Sequence, residues 1–162
     1  MQSSLDTALD SRLAAGTTFG RYQIVRFIGE GGMGVVYEAL HVELRKRVAI
    51  KIMKVALARD EMARIRFVRE GEAAARVRHA HVVDVSDVGN HQDVPYLVME
   101  FLEGEELEVR LRRAGRFEID AALDILLPVI AAVAAGHDQG VIHRDLKPQN
   151  IFLARQANGN KA

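Results

Sequence analysis

From Tyr22 onward the apolar residues come in short bursts. Tyr22, Ile24 and Val25 lead through Phe27 and Ile28 into a glycine cluster, and Val35, Val36 and Tyr37 follow it. β-branched and aromatic residues on both sides of a glycine turn predict two antiparallel strands. A third strand is expected over about 47–53, apolar after Arg47 except for Lys51. The period then changes. Met62, Ile65, Val68 and Glu72 fall near one stripe with Arg and Glu around it, which predicts a helix over about 60–78, capped by Asp60 or a neighbour. Residues 82–88 and 95–101 read as two more strands, divided by Gly89-Asn90-His91-Gln92-Asp93. A short charged helix is expected over 105–113. A long one follows over about 119–137, with Ile119, Ala122, Leu126, Val129 and Val133 on one side. Pro128 lies inside it and should kink it or loosen one turn. Gly140 closes that region, Ile151-Phe152-Leu153 reads as a short strand, and the tail from Gln156 is turn-like.

Composition narrows the classes. The chain has 162 residues, 49% of them hydrophobic, enough for a core and against disorder as the default. Residues 1–19 are polar and rich in small side chains, and are expected to form a flexible leader. Lys plus Arg equals Asp plus Glu at 22 each, so charge gives no reason to expect nucleic acid or an anionic membrane as partner. The absence of cysteine excludes disulfides, thiolate metal sites and cysteine nucleophiles. Asp6 and Asp10 speak against a signal peptide. The longest apolar run, 125–136, is read as too short to cross a bilayer and contains Pro128. A soluble, cytoplasmic chain with no membrane segment is therefore expected, any membrane tether being left to sequence beyond its C-terminus.

Three groups of residues carry candidate chemistry. His143-Arg144-Asp145-Leu146-Lys147-Pro148-Gln149-Asn150 puts an acid, a lysine and an amide on one loop. Phosphoryl transfer needs such a set: Asp145 to orient or accept a hydroxyl proton, Lys147 to neutralise the moving phosphate, and Asn150 to offer an oxygen to Mg²⁺. His143 is expected to hold the loop rather than move protons. Gly29-Glu30-Gly31-Gly32-Met33-Gly34-Val35-Val36 fits G-x-G-x-x-G-x-V. Without Cβ atoms in the way, backbone N–H groups can approach phosphate oxygens. By itself that pattern is also an ordinary hairpin turn, and the strand after it disfavours a dinucleotide-binding fold. Lys51 follows Val48-Ala49-Ile50, and an ammonium in such a run needs a counter-charge. Glu70 is the preferred partner and Glu72 its rival. The other readings are an edge lysine facing water, and a surface ion pair between Glu70 and Arg66.

In this order the motifs resemble the N-terminal part of a eukaryotic-like serine/threonine protein kinase, and the run from Gly29 to Ala39 looks most like the bacterial branch. Leu146-Lys147-Pro148 resembles the serine/threonine class rather than the tyrosine class, and with Arg144 speaks against a small-molecule kinase. The resemblance implies an α+β fold. Its complete N-lobe would hold a five-stranded antiparallel sheet and one helix over 20–102, and a truncated helical C-lobe would cover 103–162. It implies ATP and Mg²⁺ as cofactors and a protein Ser/Thr hydroxyl as acceptor. Gly29, Gly31, Gly32 and Gly34 would cover the phosphates, with Lys51 and Glu70 beneath them. Ile28, Val36 and Ala49 would roof the adenine, Phe152 would floor it, and Met99 would stand at the back. Glu100 to Leu102 would form the hinge. Asp145 and Lys147 would be catalytic and Asn150 a metal ligand, which requires Lys51 and Asp145 to converge on one nucleotide. The family's Asp-Phe-Gly and Ala-Pro-Glu motifs are absent from the 162 residues. The chain alone is therefore expected to be inactive, and the long helix to expose apolar surface. The other reading is a non-catalytic nucleotide- or partner-binding module, and pairing with a second kinase chain is left open.

Overall fold

The computed structural model describes residues 12–155. The elements in chain order are β1 (Thr18–Phe19), β2 (Tyr22–Glu30), β3 (Gly34–His41), β4 (Lys46–Met53), the one-turn α1 (Val55–Ala58), α2 (Glu61–Arg76), β5 (Val85–His91), β6 (Val94–Glu100), β7 (Gly104–Glu106), α3 (Leu107–Ala114), α4 (Ile119–Asp138), a 3₁₀ turn (Pro148–Asn150) and β8 (Phe152–Ala154). They fall into two compact units. Among the described residues the first comprises 12–75 and 83–101, the second 76–82 and 102–155. Residues 76–82, expected in the first lobe, thus cluster with the second.

The first unit is an antiparallel sheet in the order β1-β2-β3-β4-β6-β5. All five expected strands form, and β1 adds a sixth. Strand alternation gives the sheet two faces. One carries Tyr37, Val48, Ile50, Ile52, Tyr96 and Val98, all buried. The other carries Val36, Ala49, Lys51, Leu97 and Met99, and α2 lies on it. Asp60 caps α2 as expected, its Oδ1 accepting from the N–H groups of Met62 at 2.9 Å and Ala63 at 3.2 Å.

Four expectations need correction. The buried stripe of α2 is Ala63, Phe67 and Gly71, spaced by one helical turn, while Met62 is 64% exposed. The seat is a small residue: a Cβ on Gly71 would collide with the Leu97 side chain. Gly89 is not a turn residue. The strand runs on to His91, and the turn is Gln92-Asp93, both left-handed at φ 50° and 63°. That two-residue hairpin suits the sheet's twist, while glycine at 89 makes room for the Tyr96 ring. The end of the expected leader is packed: Leu13 and Phe19 are core residues, and the Leu13 N–H donates to the Tyr37 hydroxyl at 3.0 Å. Leu13 to Phe19 is too short to show a period, which hides it in the sequence. Finally, the judgement that no apolar segment is long enough for a bilayer does not hold by length. Helix α4 has 20 residues and a stretch of mean hydropathy 2.0.

In the second unit β7 pairs with β8, and α4 continues unbroken through Pro128. Ile119, Leu123, Leu126, Leu127 and Ile130 are all exposed on α4, and only Gly136 is fully buried. Helix spacing puts these five side chains on neighbouring rows of one face. The exposed apolar surface expected on this helix is present.

Candidate functional site

In the first unit the glycine cluster forms the tip of the β2–β3 hairpin, where the Gly31 N–H donates to the Gly34 carbonyl at 2.9 Å. Its glycines differ in what they do. A Cβ on Gly34 would stand 2.8 Å from the Ile52 carbonyl and 3.2 Å from Lys51 Cγ, so the fold itself demands glycine there. Around Gly29 and Gly32 there is open space, with nothing within 4 Å of a Cβ position. Neither has a left-handed φ. The fold gives no reason for glycine at these two positions; close approach by a ligand would.

Behind the tip, register aligns the proposed roof. Val36 stands opposite Lys51, and Ala49 opposite Met99. Opposed residues on paired strands share a face, so these four side chains lie on the side that α2 covers in part. Ile28 is the unpaired residue of the bulge between Phe27 and Gly29 and is 42% exposed. Glu100 is fastened to Asp84 twice. Its N–H donates to the Asp84 carbonyl at 3.0 Å, and its carboxylate accepts from the Asp84 N–H at 2.9 Å.

The structure does not bring Lys51 and Glu70 together as an ion pair. Glu70 and Glu72 are both exposed, because the face α2 turns to the sheet is the one with Phe67. Lys51 is half-buried, its Nζ 5.6 Å from the centre of the Phe67 ring. That is within cation–π range.

Sequence reasoning passed over two charged groups. Glu38 is buried and accepts from Arg26 Nε at 2.7 Å and Arg47 Nε at 2.8 Å. It stands opposite Ala49, on the same face as Lys51, and the Arg47 guanidinium sits 4.3 Å over the Phe101 ring. The signal was available, since Glu38 is a lone charge in the apolar run 35–40 just as Lys51 is in 48–53. The second group is Glu30 within the glycine cluster, which pairs with Lys54 at 2.7 Å and Arg12 at 3.7 Å. The Lys54 ammonium beside it, chiefly through its hydrogen bond, holds the Glu30 carboxyl below the usual carboxylate range.

In the second unit Asp145, Lys147 and Asn150 meet on one loop. Lys147 Nζ lies 2.7 Å from Asp145 Oδ2. Asn150 Nδ2 donates to the Asp145 carbonyl at 2.7 Å and to its carboxylate at 3.2 Å. The hydrogen bond from Lys147, opposed by some desolvation and helped by Asn150, keeps the Asp145 carboxyl below its ordinary range. Asp145 is therefore a carboxylate at neutral pH, able to accept a proton or orient a hydroxyl. His143 is exposed and holds the loop from inside, its carbonyl accepting from the Asp145 N–H at 2.8 Å. Arg144 is left-handed at φ 62°, a costly conformation for a non-glycine residue. The loop is secured further by Gln149, which donates to Glu108 at 2.6 Å, and by the Leu107 N–H, which donates to the Ile151 carbonyl at 2.8 Å. Phe152 pairs with Glu106 and is partly exposed, and Leu102 opens the second unit.

The donor set tests the metal expectation. With its Nδ2 turned to Asp145, Asn150 has its Oδ1 outside those bonds. Among the described residues no group of three or more His, Cys, Asp or Glu could cage an ion. An amide oxygen such as Asn150 Oδ1 is the kind of ligand a hard cation like Mg²⁺ takes.

Comparison with known proteins bears on the whole chain. The protein kinase domain family matches residues 22–161. The serine/threonine-protein kinase PknH of Mycobacterium bovis is 39% identical over 151 residues, covering 93% of this chain and 25% of that protein. PrkC of Bacillus subtilis, also a serine/threonine-protein kinase, is 39% identical over 139 residues, covering 86% and 22%. Among solved structures, the kinase domain of M. tuberculosis PknI superposes with a TM-score of 0.78 at 33% identity, over 90% of this chain and 59% of that one. The chain spans about a quarter of the length of these curated relatives.

Proposed function

Since this chain belongs to the protein kinase family, its relatives being bacterial serine/threonine kinases, we propose that it supplies the nucleotide-binding lobe and catalytic loop of an enzyme that moves the γ-phosphate of ATP to a Ser or Thr hydroxyl of a protein. The observation that carries this reading is the glycine hairpin with open space at Gly29 and Gly32, at the end of the strands whose register puts Val36, Ala49 and Lys51 on one face. On that face Gly29, Gly31, Gly32 and Gly34 cover the phosphates and Lys51 reaches them. Ile28, Val36 and Ala49 close over the adenine, with Met99 behind and Glu100 to Leu102 at its edge. Asp145 orients the acceptor hydroxyl, Lys147 offsets charge on the phosphoryl group, and Asn150 offers Oδ1 to Mg²⁺. When bound, the metal would supply charge neutralisation for the transferring phosphate. Helix α4 is read as a helix of the second lobe, because the family match runs through it.

Binding decides this reading. Mg-ATP is expected to raise the melting temperature of the chain, and Lys51→Met to shrink that shift. No shift in the unaltered chain, or an equal shift in the variant, would sink it. Transfer by these 162 residues alone is expected to fall far below the roughly 1–100 s⁻¹ of working kinases, since no Asp-Phe-Gly is present to hold the principal metal ion.

A further inference from the structure

Residues 12 and 13 grip the glycine hairpin from the face opposite the one that carries Lys51. The Arg12 guanidinium stacks 3.9 Å from the centre of the Phe27 ring and lies 3.7 Å from the Glu30 carboxylate. Next to it Leu13 is buried in the core, and its N–H donates to the Tyr37 hydroxyl at 3.0 Å. Phe27 and Tyr37 are cross-strand partners whose rings pack edge to face at 6.2 Å. The grip falls where the β2–β3 register slips, between Phe27 and Gly29. A bulge there breaks the ladder and lets the strand bend. Glu30 is also held from the β4 side by Lys54, whose N–H donates to the Met33 carbonyl at 3.0 Å.

We propose that Arg12 is a positioning residue for the nucleotide. Together with Leu13 it straps the bulged hairpin from behind, and so presets how the glycine tip lies over the phosphates. The idea rests on the nucleotide reading given above and adds to it a residue outside the family match, which begins at residue 22. The ion pair and the ring stack of Arg12 are made with Glu30 and Phe27, neither of them assigned to ATP. Arg12 acts on the glycine tip through the Phe27 ring and the Glu30 carboxylate, one on each side of the bulge. A tip already held in its binding position gives up less conformational freedom when a ligand arrives. Loosening the strap should therefore cost affinity while the sheet stays intact. The ion pair by itself is weak because both partners are exposed. The stacking of Arg12, and the burial of the residue beside it, give the strap its hold.

Two measurements on the whole chain test this. Without nucleotide, Arg12→Ala should speed amide hydrogen exchange over residues 31–35 by about fivefold, leaving β4 and β6 unchanged. Arg12→Lys keeps the charge but not the planar stack and should restore part of the protection. With Mg-ATP, Arg12→Ala should weaken binding by about threefold. Unchanged exchange at the tip would overturn the strap whatever the nucleotide does. Faster exchange with unaltered affinity would overturn its positioning role. Failure of the unaltered chain to bind Mg-ATP would instead sink the nucleotide reading, and it is seen before any variant is compared.

Discussion

The Asp145–Lys147 pair fixes a protonation state at the level of one residue. Because the folded carboxyl titrates below its ordinary value, the pairing is present throughout the neutral range. It is lost only as pH falls through that lowered value. Lys147→Ala removes the first cause of the shift, and the Asp145 pKa should rise towards the ordinary carboxylate value. An NMR titration of the side-chain carboxyl checks this; an unmoved midpoint would mean that Asn150, not Lys147, sets it. Glu38 is a second case. Two arginine Nε atoms reach one buried carboxylate, and both arginines are themselves half-exposed. Removing the acid leaves two cations that water can still solvate. Glu38→Ala should therefore lower the unfolding free energy by about 1–3 kcal/mol, read from urea denaturation. Lys51 and Glu38 also show what the sequence could reveal. Each is a lone charge in an apolar strand, yet only Lys51 was singled out, because a known motif surrounds it.

At the scale of elements, the glycine hairpin separates fold from function. Gly34→Ala drives a Cβ against the Ile52 carbonyl and should destabilise the hairpin by about 1–3 kcal/mol. Gly29→Ala meets open space and should leave the melting temperature nearly unchanged while weakening Mg-ATP. If the two variants behave alike in both assays, the distinction fails. The strands were legible because β-branched clusters and glycine punctuation have a short, strict period. Helix α2 was legible as a helix but not in its rotation. Its packed face uses Ala63 and Gly71 on either side of Phe67, and small residues leave no hydrophobic trace. The same oversight put Glu70 inward beside Lys51. Gly89 misled in the opposite sense: it looked like a turn and serves as space beneath Tyr96.

For the molecule as a whole, the apolar side of α4 is expected to promote association in solution. Leu123, Leu127 and Ile130 are each at least 45% exposed, and a patch of that kind is a surface awaiting a neighbour or a source of association. Changing all three to Lys should reduce dye binding and concentration-dependent self-association with helicity retained. Undiminished association would place the sticky surface elsewhere. The exposure was foreseeable from the apolar residues around this helix.

The chain passes from the first unit to the second after Ala75, returns after Val82 and leaves again after Phe101. Val77, on the short excursion, is buried, and the nearest side chain to a Cβ at Gly136 is its own, at 4.0 Å. No single scission can therefore yield two intact halves. A gene cut at the Phe101–Leu102 peptide would strand Val77 on the wrong product and leave a notch beside Gly136. Anyone wishing to study the glycine hairpin apart from the catalytic loop would have to graft a linker across 76–82 as well as end the chain after Phe101.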